Sequence, residues 1–410
     1  MLVVGGGPAG STAAYELARA GRSVVVVEEH ARIGHPVQCA GLVSQRVLDL
    51  AGAPPIVRRP VRGATVFGPD RAAVHFRAGE PRAFVIDRAG LDVHLADRAA
   101  RAGATFRTGT RFDRLGDRQP DGVESIVRDA ADHESSIRSR IVIGADGVAS
   151  AVARAFRLRR PVEILPAYEA EFGESAGDPD DVEVYLGRTI APGLFGWWIP
   201  DGQGGARIGV AASAGPTTAR AYFDRLVAAY TRRHGSAPKH PTSLLVSGIP
   251  IGAVPRTAGD RVLLVGDAAA QVKPLSGGGI FTGMRCAQLA AGVADAALRS
   301  GDLSGSGLAE YERRWHAELG DEFRRAQYLR RLFLRLSDRD LERIVEALQA
   351  TGLTGSIVAF GDIDFPSNVA RAVLRQSPTL LGLFPKALGA LAGGGLRAPD
   401  LDPGRGRTAA

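Results

Sequence analysis

The residues best placed to do chemistry in this 410-residue chain begin at its fifth position, where Gly5, Gly7 and Gly10 stand at G-x-G-x-x-G spacing. In such a turn the first glycine permits a tight bend, the second lets a pyrophosphate approach the backbone, and the third lets helix and strand pack closely. Glu28 follows 18 residues after Gly10, directly behind the apolar run Val24 to Val27, where a carboxylate can accept hydrogen bonds from ribose hydroxyls. Its charge disfavours a 2′-phosphate, so the pattern predicts a dinucleotide of the FAD or NAD kind in preference to NADP. A second candidate is RVLLVGDAAAQVKPLSGGGIFTGMRCAQLAA at 261–291, in which Asp267 ends an apolar run and Gly277, Gly278 and Gly279 open onto a helical pattern. Glycines at a helix start bring main-chain N–H groups close to a ligand, and the helix N-terminus favours negative charge. Taken alone, Asp267 reads equally well as a turn or capping residue. Asp146 ends a further apolar run in IVIGADGVASAVARAF at 141–156. Arg88 follows another in RAFVIDRAGLDVHLADRAARAGA at 82–104, where its guanidinium either leans toward a pyrophosphate or starts a solvated helix.

The elements that must position these residues follow from periodicity. Leu2 to Val4 reads as a strand, STAAYELARAG as the helix behind the glycine turn, and SVVVVEEH as a second strand, which is the order a dinucleotide-binding βαβ unit requires. Leu91, Leu95 and Ala99 recur at helical spacing behind Arg88. Past 300 the pattern turns helical, and EFRRAQYLRRLFLRLSDRDLERIVEAL sets arginine pairs against Phe323, Leu329, Leu332 and Phe333 as a basic amphipathic helix, either over a core or on an anionic membrane surface.

Composition narrows the classes. Apolar residues at 45% and aromatics at 6% describe a globular chain. The net charge of +7 rests on arginine, with lysine only at 239, 273 and 386, and the arginines are spread without interleaved aromatics, so nucleic acid is not an expected partner. Cys39 and Cys286 are far apart and make neither a disulfide framework nor a zinc pattern; no metal site is expected. There is no signal-peptide pattern and no run of about 18 apolar residues, so a cytoplasmic location is expected, with contact at the inner membrane surface peripheral at most.

With the opening glycine motif, the middle GADG at 144–147 and the late GDAA at 266–269 in order, the chain resembles the flavoprotein superfamily of the para-hydroxybenzoate hydroxylase-like monooxygenases. Two stretches resemble a narrower group within it, the geranylgeranyl reductases: the cysteine-bearing loop IGHPVQCAGLVSQRVL at 33–48, and PGLFGWWIPDGQGGARIGV at 192–210, similar to that family's Y-x-W-x-F-P signature through Phe195, Trp197, Ile199 and Pro200. Phe for Tyr and Ile for Phe keep the apolar character but remove a phenol. The late AAAQVKPLSGGGIFTG resembles the same family, while the match past about 300 is looser, through GDIDFP at 361–366.

The resemblance implies FAD, an α/β fold (α+β overall) with a Rossmann-like FAD-binding domain, a mixed-sheet substrate domain and a C-terminal helical region. The implied boundaries are 1–65, 88–158 and 255–300 for FAD, 66–87 and 159–254 for substrate, and 301–410 for the helices. It implies cofactor contacts at Gly5, Gly7, Ala9, Gly10, Glu28, Cys39, Ala40, Gly41, Arg88, Phe112, Asp146, Asp267, Gly278, Gly279 and Ile280, and a substrate wall at Phe195, Trp197, Ile199 and Pro200. Strand alternation would put Phe195, Trp197 and Ile199 on one face and Trp198 on the other. Cys39 is either a flavin contact, able as a neutral thiol to act as a catalytic acid, or a small apolar filler. The implied reaction saturates isolated C=C bonds of a geranylgeranyl or other prenyl chain, on a lipid, quinone or diphosphate, by hydride from reduced flavin N5 plus a proton. Electrons would come from NAD(P)H or ferredoxin. An aromatic or alkene monooxygenase and a non-catalytic prenyl escort are the alternatives the same fold allows.

Overall fold

A computed structural model describes residues 1–350, 355, 361–369 and 371, except 120, 160, 162, 216 and 253. Five short parallel strands and one antiparallel edge form a six-stranded sheet in the order Ala258–Gly259, Val262–Leu264, Val142–Gly144, Leu2–Val4, Val25–Val27, Thr105–Arg107. The strand order reverses beside Leu2–Val4, whose neighbours are the next strand in sequence on one side and Val142–Gly144 on the other. In open α/β sheets the crevice for a ligand lies at that reversal, outside the carboxyl ends of the strands. Gly5 and Ala145 occupy those two ends here.

Alternation divides these strands between two cores. Val3, Val26, Ile143 and Leu263 face the helices Pro8–Arg19, Arg88–Arg101 and Ile280–Ser300. Leu2, Val4, Val27, Val142 and Leu264 face an antiparallel sheet of Thr110–Gln119, Gly122–Asp129 and Glu134–Ser139. Helix Arg88–Arg101 starts where expected, because the Asp87 carboxylate accepts a hydrogen bond from Gly90 N at 3.0 Å, and it buries Leu91, Leu95 and Ala99.

The second large layer is a mixed seven-stranded sheet in the order Lys239–Ile251, Glu163–Glu174, Ala206–Ala211, Gly196–Pro200, Asp181–Tyr185, Gly63–Phe67, Ala73–Arg77. Only Asp181–Tyr185 and Gly63–Phe67 run parallel. One face packs on helix Ala219–His234 through Tyr168, Ala170, Trp198, Ile208 and Val210; the other faces the six-stranded sheet's crevice. Two expected boundaries shift. Strand Gly63–Phe67 runs through the 65/66 division, because its pairing with 181–185 begins at Gly63. Ala83–Ile86, expected with the substrate segment, instead pairs with Leu42–Val43 and Val57–Val61 in a small separate sheet.

The expected long basic helix is two helices, Glu310–Phe333 and Asp338–Ala350. Phe323 joins the core of the six-stranded sheet, and buried Arg330 pairs with Glu163 at 3.0 Å, so the inner face of the first helix is covered by protein. No helix among the described residues is long and apolar enough to cross a membrane.

Candidate functional site

The crevice opens into a cleft of about 580 Å³ lined from both sheets, within the range of pockets that bury a small-molecule ligand. Its first wall is the glycine turn. Gly5 has φ +100°, and a methyl group on it would lie 2.3 Å from the Ala145 carbonyl oxygen. On Gly10 a methyl would lie 1.9 Å from the Gly5 oxygen, whereas Gly7 meets nothing within 4 Å and leaves its side open. Helix Pro8–Arg19 begins at Gly7 with proline in its first turn and no side-chain cap, so its first N–H groups are left for a ligand. Glu28 is braced beside this turn: Gly6 N donates to Oε2 at 2.7 Å and His30 N to Oε1 at 2.9 Å.

The second wall is the late stretch. After strand Val262–Leu264 a 3₁₀ turn, Gly266–Ala269, sets Asp267 into the cleft, and no described residue donates a hydrogen bond to its carboxylate. Burial pushes that carboxyl up to about 6, with Arg88 opposing. Helix Ile280–Ser300 starts at Gly279, again without a side-chain cap, and a methyl there would meet Val272 at 3.0 Å and Asp267 at 3.1 Å. Two uncapped helix starts in one cleft make a strongly anion-favouring surface.

Arg88 is a buried cleft residue, not a solvated one. Its Nη1 lies 2.5 Å from Asp92 Oδ1, an ion contact without hydrogen-bond alignment that leaves Nε and Nη1 short of an acceptor. Burial works against the charge, but Asp92 and Cys39 outweigh it and hold the guanidinium above its ordinary pKa. Asp146 lines the cleft, and its carboxylate accepts from Ser150 Oγ at 2.7 Å and Val152 N at 3.0 Å, bracing the helix Ala151–Ala155. Burial raises its pKa. Cys39 and Ala40 line the cleft, and Gly41 N approaches the Cys39 sulfur at 3.5 Å.

The third wall is apolar and comes from the seven-stranded sheet. Phe195, Trp197 and Ile199 face the cleft with Ala167, Leu194, Leu245 and Ile249, while Trp198 points to helix 219–234, as alternation requires. Ile363, from the segment 361–368, packs on the same wall and is tied down there. Lys273 Nζ donates to its carbonyl at 2.8 Å and pairs with Asp364 at 3.1 Å, and Arg46 bonds Asp362 at 2.9 Å.

Residues 1–319 match the FAD binding domain family. The chain is 34% identical to digeranylgeranylglycerophospholipid reductase 2 of Methanothermobacter thermautotrophicus over 86% of this chain and 92% of that protein. It is 31% identical to the digeranylgeranylglycerophospholipid reductase of Methanocaldococcus jannaschii over 94% of this chain and 97% of that protein. The chain belongs to the digeranylgeranylglycerophospholipid reductase family. A geranylgeranyl bacteriochlorophyll reductase-like protein of Thermoplasma acidophilum has a similar structure, with TM-score 0.81 and 26% identity over 95% of this chain and 98% of that one.

For a digeranylgeranylglycerophospholipid reductase family member, the residues present fit FAD. Glycines 5 and 10 keep clear a cradle that a methyl would fill, two helix starts offer free N–H donors, and Arg88 supplies buried cationic donors without an acceptor. Two expectations do not fit. Phe112 lies behind the six-stranded sheet among Val4, Val27, Val123 and Val127, because strand Thr110–Gln119 belongs to the antiparallel layer on the far side. Pro200 closes its strand as a buried residue outside the cleft lining, one alternation step beyond Ile199. Gly41 stands just off the lining, with φ +69° and Arg207 Nη1 2.4 Å from where its methyl would be, so its role is to admit Arg207. Glu169 is a cleft residue outside every motif, and Lys273 is one that lies within the late motif without being one of its expected site residues. The signal for Glu169 is a carboxylate at mid-strand on the face shared by Leu165 and Ala167.

Proposed function

We propose that this protein is an FAD-dependent reductase that saturates isolated C=C bonds in the geranylgeranyl or related prenyl chain of a lipid. The observation that carries the reading is the meeting, in one cleft, of an anion-favouring dinucleotide cradle and a continuous apolar wall of Phe195, Trp197, Ile199 and Ile249. The names of the relatives supply the lipid class.

The glycine turn and its helix start would hold the pyrophosphate, with Arg88 as the cationic partner and Glu28 at a ribose. Asp267 and the N–H groups from Gly278 to Ile280 would hold the flavin end, and Cys39 with Ala40 would contact it. Bound and reduced, FAD supplies a hydride. The apolar wall places the chain and excludes water, and Ile363 with its lysine clamp narrows the cleft on the same side. On this reading the cofactor unit comprises the six-stranded sheet with its helices, and the substrate unit the seven-stranded sheet. Electrons arrive from NAD(P)H or a ferredoxin, and the enzyme meets its lipid at the membrane surface as a peripheral protein.

The test is anaerobic. The protein is reduced with dithionite, mixed with a geranylgeranylated glycerolipid, and followed by flavin absorbance and mass spectrometry of the lipid. Reoxidation with two-dalton increments is the expected result. Reoxidation only on admitting oxygen, with an oxygen atom in the product, would establish a monooxygenase instead.

A further inference from the structure

At the centre of the cleft face of the seven-stranded sheet sits the carboxyl of Glu169, buried and lining the cleft. It belongs to a row that crosses three strands: Trp197 is in register with Gly209, and Gly209 with Glu169. A methyl on Gly209 would lie 2.5 Å from Trp197 Cζ2, so the glycine is what lets the indole lie across its strand. Trp197 Nε1 then donates to Glu169 Oε2 at 2.6 Å. That bond occupies Oε2 as an acceptor, and a proton on the carboxyl therefore belongs on Oε1, which has no bonding partner among the described residues.

We propose that Glu169 is the acid that delivers the proton to the substrate carbon, an inference that rests on the prenyl-reductase reading. An isolated alkene is electron-rich and takes hydride only if the other carbon is protonated. The balance is complete: the π bond breaks, one carbon gains a hydride from the reduced flavin, and the other gains the proton from Oε1 as the O–H bond breaks. The alkene is reduced, the flavin is oxidised, and water reprotonates the carboxylate between turnovers.

The surroundings favour the protonated form of this acid. Burial pushes Glu169 up to about 7, with the Trp197 N–H and Arg207 pulling it down and Glu171 adding to the rise. Arg207, on strand 206–211, is committed elsewhere: it bonds Glu171 Oε1 at 2.8 Å and the Ala40 carbonyl at 2.7 Å. Strand 239–251 sets uncharged Leu245 opposite Glu169, with Ser243 and Ser247 beside it. Lys273, from the loop before helix 280–300, is held by Ile363 and Asp364.

The experiment has two arms on the FAD-loaded protein. Infrared spectra of the oxidised resting protein should contain a protonated-carboxyl band that disappears as pH rises through the neutral range and is absent in Glu169→Gln. In the anaerobic lipid assay Glu169→Gln should slow reoxidation by about a hundredfold or more and flatten its pH profile, as loss of a general acid does. Glu169→Asp should recover part of the rate. Trp197→Phe, which removes the N–H that favours the carboxylate, should move the infrared midpoint upward and gives a second route if Glu169→Gln does not fold. Wild-type turnover with Glu169→Gln within about threefold of it and an unchanged profile overturns the assignment alone. A wild type that reduces no prenyl lipid overturns the function reading and this assignment with it.

Discussion

Glycine at position 10 is fixed by a single carbonyl: a methyl there would lie 1.9 Å from the Gly5 oxygen. Gly10→Ala must move the helix start away from the strand end, an overpacking cost of roughly 1–3 kcal/mol. We expect the purified variant to lose most of its yellow colour, with FAD binding at least about tenfold weaker by fluorescence titration. Glu169 makes a different prediction. Its folded pKa lies near 7 against an ordinary value of 4.5, so the folded state binds the extra proton. The stability this gives is complete below pH 4.5 and is lost as pH rises through 7, by on the order of 3 kcal/mol. Wild type should therefore lose stability relative to Glu169→Gln between pH 5 and pH 8 in paired thermal melts. Gly5, Gly7, Gly10 and Glu28 are legible in the sequence because their spacing is local to one βαβ unit. Glu169 is not, because what makes it unusual is burial among Trp197, Gly209 and Leu245, on strands that lie 28 to 76 residues away in the chain. Phe112 shows the opposite failure, since an aromatic near the right strand carries no record of which side of the sheet it takes.

Strands, at the next scale, carry their own prediction. Valine is well suited to β-structure, so Gly209→Val should be tolerated if only backbone propensity mattered. Its side chain would instead displace the Trp197 indole and break the bond to Glu169. We expect a loss of roughly 1–3 kcal/mol by denaturant unfolding, together with a changed tryptophan emission. Alternation along one strand is enough to assign Trp197 and Trp198 to opposite faces. The same rule is silent on which residue stands opposite another two strands away, because register is set by pairing between distant segments. The basic pattern past 320 is legible as helix, but the break before Asp338 and the packing of its inner face on Glu163 are not.

The whole molecule closes its cleft with a segment distant in sequence. Lys273 and Asp364 are both buried, and their pairing anchors residues 361–368 against the apolar wall. Breaking a buried pair from one side costs more than removing both charges. Asp364→Asn should therefore destabilise by roughly 3 kcal/mol, while the double replacement Lys273→Met with Asp364→Leu should recover much of that in the same urea titration. Motif order along the chain foretells a dinucleotide unit and a mixed-sheet unit, whereas the start of the second sheet at Gly63 and the return of 361–368 depend on long-range pairing. The two-faced sheet has one more consequence. Along three adjoining strands the odd-numbered residues Ala167, Glu169, Gly209, Trp197 and Ile199 lie on the cleft face, and the even-numbered Tyr168, Ala170, Ile208 and Trp198 look toward helix 219–234. One set of positions therefore shapes the guest's bed while the other ties the sheet to its helix, and the shaping set is not free of the fold, since Ala167 and Ile199 are core residues and Gly209 admits the Trp197 indole.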